Sequence, residues 1–101
     1  ALGNYQKAIE CYRDCIKIAR TLNNHRSLIQ VLKHLGNAYY ALKHYPQAIK
    51  YYEERLKLSQ EMKDIKSEEQ ALASLKAAYY ASGDYAKAIQ YEEMIKATQT
   101  R

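Results

Sequence analysis

The chain has 101 residues, 48% of them hydrophobic, with 11 Tyr, no Phe, no Trp, three Gly and one Pro; this suffices for one packed domain and is too poor in turn residues for an all-β protein. The net charge of +5 comes from 16 basic residues interspersed with 11 acidic ones, which favours acidic partners mildly but lacks the basic face of a nucleic-acid binder. No apolar run reaches the roughly 18 residues of a membrane span, and no signal peptide is visible.

The elements read as five helices, near 5–22, 25–42, 45–62, 65–82 and 85–98. The first follows a Gly3-Asn4 break and carries Cys11 and Cys15, four residues apart. The second follows Asn23-Asn24, and Leu28, Val31, Leu32, Leu35, Tyr39 and Leu42 recur at three- and four-residue steps, an amphipathic pattern. Lys43-His44 separates it from the third, where Tyr45, Ala48, Ile49, Tyr52 and Leu56 form the stripe and Pro46 lies in the first turn, where its missing N–H costs little. Lys63-Asp64 and Gly83-Asp84 precede the fourth and fifth. Ser27…Gln30 and Ser67…Gln70 read as capping boxes, which leaves each of those helix starts open by about a turn. A helix of about 18 residues is roughly 27 Å long, and connections of two or three residues force antiparallel neighbours.

A 40-residue step organises these helices. It relates Tyr5, Tyr45 and Tyr85; Ala8, Ala48 and Ala88; and Ile9, Ile49 and Ile89. The segment from Leu35 to Ala41 aligns with the segment from Leu75 to Ala81, and Leu32, Gln30 and Ser27 align with Leu72, Gln70 and Ser67. One helical pair cannot bury its apolar stripe alone, so stability must come from stacking the pairs.

These residues resemble the tetratricopeptide repeat. Its Leu-Gly-x-x-Tyr is matched by Leu35, Gly36 and Tyr39, and its Gly-Asp turn by Gly83-Asp84. Its Tyr-x-x-Ala is matched by Tyr45 and Ala48 and again by Tyr85 and Ala88. The usual period in that family is 34 residues; a 40-residue step is similar to the variant in kinesin light chains, Pins-type adaptors and bacterial regulators. The resemblance covers essentially the whole chain and implies an all-α fold, a right-handed α-solenoid of about five helices.

Within one domain of 1–101, residues 1–24 are expected to form the second helix of a partial repeat, 25–64 a full repeat and 65–101 another. Tyr91-Glu92-Glu93 reads as Tyr51-Tyr52-Glu53-Glu54 with one Tyr missing, which places the last helix out of register, with a stripe of Ala88, Tyr91 and Ile95 and a frayed end. Lys76 stands at the Gly position, where helix spacing should widen, and Arg55 and Cys15 stand in a column where the family has a small Ala. No Met opens the chain, so Ala1 is expected to be a cut or processed end of a larger array. Both terminal helices should then expose apolar surface.

The resemblance implies a concave groove lined by the first helix of each pair. It selects Gln30, Lys33, His34, Asn37, Tyr40 and Ala41 in one repeat, and Gln70, Ala73, Ser74, Ala77, Tyr80 and Ala81 in the next. Asn supplies donor and acceptor to a peptide, Tyr a rigid surface with a polar tip, and Ala room for side chains. Lys33 and Asn37 look like half of a chaperone-tail carboxylate clamp. Ala73 and Ala77 stand where its other half would be, which argues against that clamp.

The implied function is a protein–protein interaction scaffold that takes a peptide or partner segment, of acidic character, in the groove. A helical-repeat RNA binder and a homo-oligomer formed through the terminal helices are the alternatives. Nucleic acid is disfavoured because Lys33 and His34 make a thin phosphate track. No Gly-rich phosphate loop or nucleophile motif occurs, and adjacent pairs such as Glu53-Glu54 diverge by about 100° on a helix, so no enzyme and no cofactor is expected. Cys11, Cys15, His25, His34 and His44 do not converge as a tetrahedral metal site needs. The two thiols are expected to be buried packing groups in a reducing, cytoplasmic setting.

Overall fold

The computed structural model describes residues 2–100, and among these the chain forms five helices: α1 Leu2–Thr21, α2 His25–Ala41, α3 Tyr45–Met62, α4 Ile65–Ser82 and α5 Tyr85–Gln99. The last four agree with the sequence expectation to within a residue. The first differs, because α1 runs through Gly3-Asn4 without a break. That pair joins no two helices here, so nothing forces it into a turn. At the other end, α5 is helical to Gln99 and closes on Thr100.

The four turns share one construction. Asn23, Lys43, Lys63 and Gly83, 20 residues apart, take left-handed backbone at φ 56°, 61°, 57° and 91°. In each, two N–H groups reach back to the last turn of the preceding helix; Asp84 N–H meets Tyr79 O at 2.9 Å and Gly83 N–H meets Tyr80 O at 3.1 Å. This double bond pattern closes a helix with one left-handed residue. The next residue then caps the following helix. Asn24, Asp64 and Asp84 accept from the N–H of Ser27, Ser67 and Lys87 at 3.1–3.2 Å, whereas His44 makes no such side-chain bond. The left-handed residue sets the helix start, so the capping boxes expected at Ser27 and Ser67 do not form. Both serines lie inside the first turn, as donors to the true caps.

Each helix packs on its sequence neighbours, and α2 also touches α4. The even helices therefore form one layer and the odd helices the other, an all-α solenoid of stacked antiparallel pairs. The core runs through Ile9, Ile16 and Ala19 of α1, Leu32, Leu35 and Tyr39 of α2, Ala48 and Tyr52 of α3, and Leu75 and Ala78 of α4.

The 40-residue step is visible in the ring contacts. Tyr39 stacks on Tyr51 at 5.7 Å and Tyr79 on Tyr91 at 5.5 Å; Tyr40 meets Tyr45 edge-on and Tyr80 meets Tyr85 likewise. Tyr91 thus occupies the column of Tyr51, and α5 is in register there, contrary to the expected one-residue offset. The residue that changed is the next one. Where Tyr52 packs against Gly36, Glu92 forms an ion pair with Lys76. The stripe of Ala88, Tyr91 and Ile95 does face inward, with Ala88 buried and the other two half-buried.

Two expectations at the chain ends have opposite outcomes. Apolar surface is exposed at Ile18 on α1, at Leu22 just after it, and at Tyr85, Ile89 and Met94 on α5, as anticipated. Cys11 and Cys15, however, are exposed rather than buried. A column that α3 encloses between α2 and α4 is covered on α1 by α2 alone, so thiols that occupy packing columns are left open to solvent.

Candidate interaction groove

The even layer carries the candidate site. On α4, Ala73, Ala77, Tyr80 and Ala81 share one face, and with Tyr40 of α2, Lys76 and Ile95 they line a cavity of about 420 Å³. Five of the groove residues expected from the sequence, Tyr40, Ala73, Ala77, Tyr80 and Ala81, are therefore brought together. The three alanines keep the floor shallow, and Tyr80, 65% exposed, forms a wall.

One turn away the same two helices carry Asn37 and Gln70, and both are tied to α3. The Tyr52 hydroxyl donates to Asn37 Oδ1 at 2.6 Å, and Arg55 Nη2 donates to Gln70 Oε1 at 2.9 Å. Tyr52 and Arg55 lie in the odd layer but point up between α2 and α4. Arg55 is 1% exposed, and its Nε finds no hydrogen-bond partner. Burial lowers the Arg55 pKa, with Asp64 and Tyr52 acting in the other direction. Burial likewise pushes the Tyr52 hydroxyl up to about 12, helped by Tyr40 and opposed by Arg55.

The remaining expected residues are more dispersed. His34 stacks on Tyr12 of α1 at 5.6 Å and so belongs to the α1–α2 junction. Gln30 is exposed, and Lys33 and Ser74 are half-buried; Gln30 and Lys33 continue the Asn37–Tyr40 face of α2 at helical spacing.

Tyr52 and Arg55 are the groove residues that sequence reasoning missed. Tyr52 read as packing, and Arg55 read only as a departure from a small column. The signal for Arg55 was its charge in a column otherwise held by Cys15 and Ile95, since an interior cation needs a partner.

Two further concavities are present. A larger one, about 650 Å³, sits between α1 and α3 and is lined by Glu10, Asp14 and Glu54 against Arg13, Lys17, Arg20 and Lys50. Its charges largely answer one another or a tyrosine: Arg20 pairs with Glu54, Arg13 donates to the Tyr39 hydroxyl at 2.7 Å, and Lys50 lies over the Tyr51 ring. The second, about 470 Å³, is a mainly apolar hollow lined by Tyr80, Tyr85, Ala88 and Ile89 with Lys76 and Glu92, and it adjoins the groove cavity at Lys76 and Tyr80. Among the described residues no group of three His, Cys, Asp or Glu is placed to hold a metal ion.

A family model described as tetratricopeptide repeat matches residues 1–61. The chain belongs to the tetratricopeptide repeat family. The match spans α1 to α3, and α4 and α5 repeat the same ring contacts one period later. Tetratricopeptide repeats generally mediate protein–protein interactions and act as scaffolds that are typically not enzymes. No curated protein matches the chain. No helix among the described residues is long and apolar enough to cross a membrane.

Proposed function

We propose that this tetratricopeptide array is a protein-interaction scaffold that takes a peptide segment of a partner protein along the groove between α2 and α4. The observation that carries this reading is the cavity in which Tyr40 and Tyr80 flank Ala73, Ala77 and Ala81. Rigid aromatic walls over a floor of small residues suit a segment whose side chains must enter. The net charge of +5 favours an acidic partner. The exposed, unpaired thiols of Cys11 and Cys15 suit a reducing compartment such as the cytoplasm.

Selection of 12-residue peptides on the folded protein tests this. Bound peptides should shift the backbone amides of Tyr40, Ala77 and Tyr80, and Ala77→Arg, at an exposed position, should weaken them at least tenfold. Peptides that bind the Ala77→Arg protein as tightly as wild type would remove the groove as the site. Self-association is a second reading, favoured by exposed Tyr85 and Ile89 on α5. A protein that sediments as a monomer up to millimolar concentration would exclude it.

A further inference from the structure

We propose that Tyr52 and Arg55 are positioning residues that lock Asn37 and Gln70 as hydrogen-bond donors, so that this end of the groove reads the carboxylate side chains of an acidic peptide. The inference rests on the groove reading above and adds to it the chemistry of the group that is recognised.

The constraint is tightest at Gln70. A guanidinium has five N–H donors and no acceptor, so the atom of Gln70 that faces Arg55 can only be its carbonyl oxygen, as the 2.9 Å contact shows. The carboxamide nitrogen is then turned away from α3, on an exposed residue. Asn37 is held in the same sense, with its oxygen receiving the Tyr52 hydroxyl at 2.6 Å. Free carboxamides can flip between donor and acceptor, but here both oxygens are already engaged from below. Each carboxamide is thereby held with its oxygen towards α3 and its N–H₂ group turned outward, one on α2 and one on α4. N–H₂ donors fixed in this orientation complement a carboxylate, which is acceptor-only when ionised. Lys33, one turn from Asn37 on the same face, adds an ammonium group to this end of the groove.

Packing alone does not account for the guanidinium. The same column is occupied by Cys15 in α1 and Ile95 in α5, so the helix geometry accepts an uncharged residue there. Arg55 instead brings a charge under a groove residue and leaves its own Nε without a partner. An apolar residue avoids both costs. Tyr52 shows the same contrast: its column holds Tyr12, which stacks on His34, and Glu92, which pairs with Lys76. Only the middle repeat places a buried donor beneath each of the two carboxamides.

The test uses hexaglutamate and, as a neutral control, hexaglutamine, titrated against the folded protein while the side-chain N–H₂ resonances of Asn37 and Gln70 are followed by NMR. Hexaglutamate should shift both pairs, and hexaglutamine should bind at least tenfold more weakly. Tyr52→Phe changes no charge and removes only the hydroxyl. It should weaken hexaglutamate by threefold or more and abolish the Asn37 side-chain shift, with the helical circular dichroism retained. Arg55→Ile should abolish the Gln70 shift and weaken binding at least tenfold. The proposal is overturned if hexaglutamate leaves both side-chain amides unmoved, or if Tyr52→Phe binds it within twofold of wild type with the Asn37 shift intact. Selected peptides that occupy the groove while hexaglutamate fails would sink the carboxylate assignment alone. Selected peptides that bypass the groove would sink the groove reading itself.

Discussion

Replacing Gly36 with Ala adds one carbon where the α2–α3 interface has no room for it. A Cβ at position 36 would lie 2.5 Å from Tyr52 Cε1, 2.7 Å from Cδ1 and 3.2 Å from Cζ. Carbon atoms rest about 3.5–4.0 Å apart, so the ring would have to retreat by about 1 Å. It has nowhere to go, because Tyr52 is 3% exposed and its hydroxyl is engaged by Asn37. Overpacking of this kind costs about 1–3 kcal/mol, and loss of the Tyr52–Asn37 bond adds about 1 kcal/mol. The better helix propensity of Ala returns about 1 kcal/mol. Gly36→Ala should therefore destabilise the fold by roughly 1–3 kcal/mol, a fall of about 5–20 °C in Tm for a domain of this size. Thermal denaturation followed by circular dichroism measures it. At the equivalent position, Lys76→Ala should stay within about 0.5 kcal/mol of wild type, since only an exposed ion pair is lost. The cost of Gly36→Ala should also shrink in a Tyr52→Ala background, because the two changes share one contact. A Gly36→Ala protein as stable as wild type would refute the reasoning.

At the turn before α3, His44 is the one of the four described N-caps without a side-chain bond; His44→Asp should raise stability by about 0.5–1.5 kcal/mol, read as a higher urea midpoint at an unchanged slope. The raised pKa of Tyr52 predicts alkaline lability. Its neutral form is favoured in the fold, so its contribution is complete below about pH 10 and is lost as the pH rises towards about 12. Tyr79 and Tyr91 shift the same way, so Tyr52→Phe should flatten only part of the stability loss over that range, and an unchanged pH profile would contradict the assignment. Cys11 and Cys15 are exposed, so iodoacetamide should label both in the native protein at rates within a few-fold of those in urea; protection of either would count against their placement.

What was legible in the sequence followed from periodicity. The helix bounds of α2 to α5 could be read because three of the four turns carry an Asn or Asp that caps the next helix, and at the fourth Pro46 marks the first turn of α3. The columns could be read because Tyr, Ala and Ile recur at one step. Contacts that depend on which neighbour is present were less accessible. Cys15 lies in the column that buries Arg55, yet it is exposed because only α2 covers α1. The apparent slip in α5 came from aligning the letters Tyr-Glu-Glu. The structure keeps Tyr91 in place and changes its neighbour from Tyr52 to Glu92. In the groove, Tyr40, Ala77 and Tyr80 were expected from the family resemblance, which does not extend to the residues beneath them. Spacing tells which face a side chain leaves from, whereas Tyr52 and Arg55 matter for where their long side chains end.

The positions that differ between repeats change in pairs, and this separates packing from recognition. Gly36 with Tyr52 becomes Lys76 with Glu92, so a close steric fit is exchanged for an ion pair at the same place between a helix and its successor. Arg13 donating to Tyr39 becomes Tyr79 donating to Glu53, which exchanges the direction of the hydrogen bond but keeps the contact. Each exchange preserves an interface within the solenoid, so none of them requires a ligand to explain it. Asn37 and Gln70 stand apart from this pattern. Their counterparts one period away are Ala77 and Gln30, and no equivalent of the Arg55 guanidinium or the Tyr52 hydroxyl lies beneath either, since Glu92 faces Lys76 and Cys15 stands in the Arg55 column. A pair of contacts that recurs in no other repeat is not demanded by the repeat. It is the place where this chain departs from its own periodicity at the cost of a buried guanidinium, and it opens on the same face as Tyr40, Ala77 and Tyr80. The polar half of the groove is therefore the part most specific to this protein, and the aromatic half is the part it shares with its own second copy.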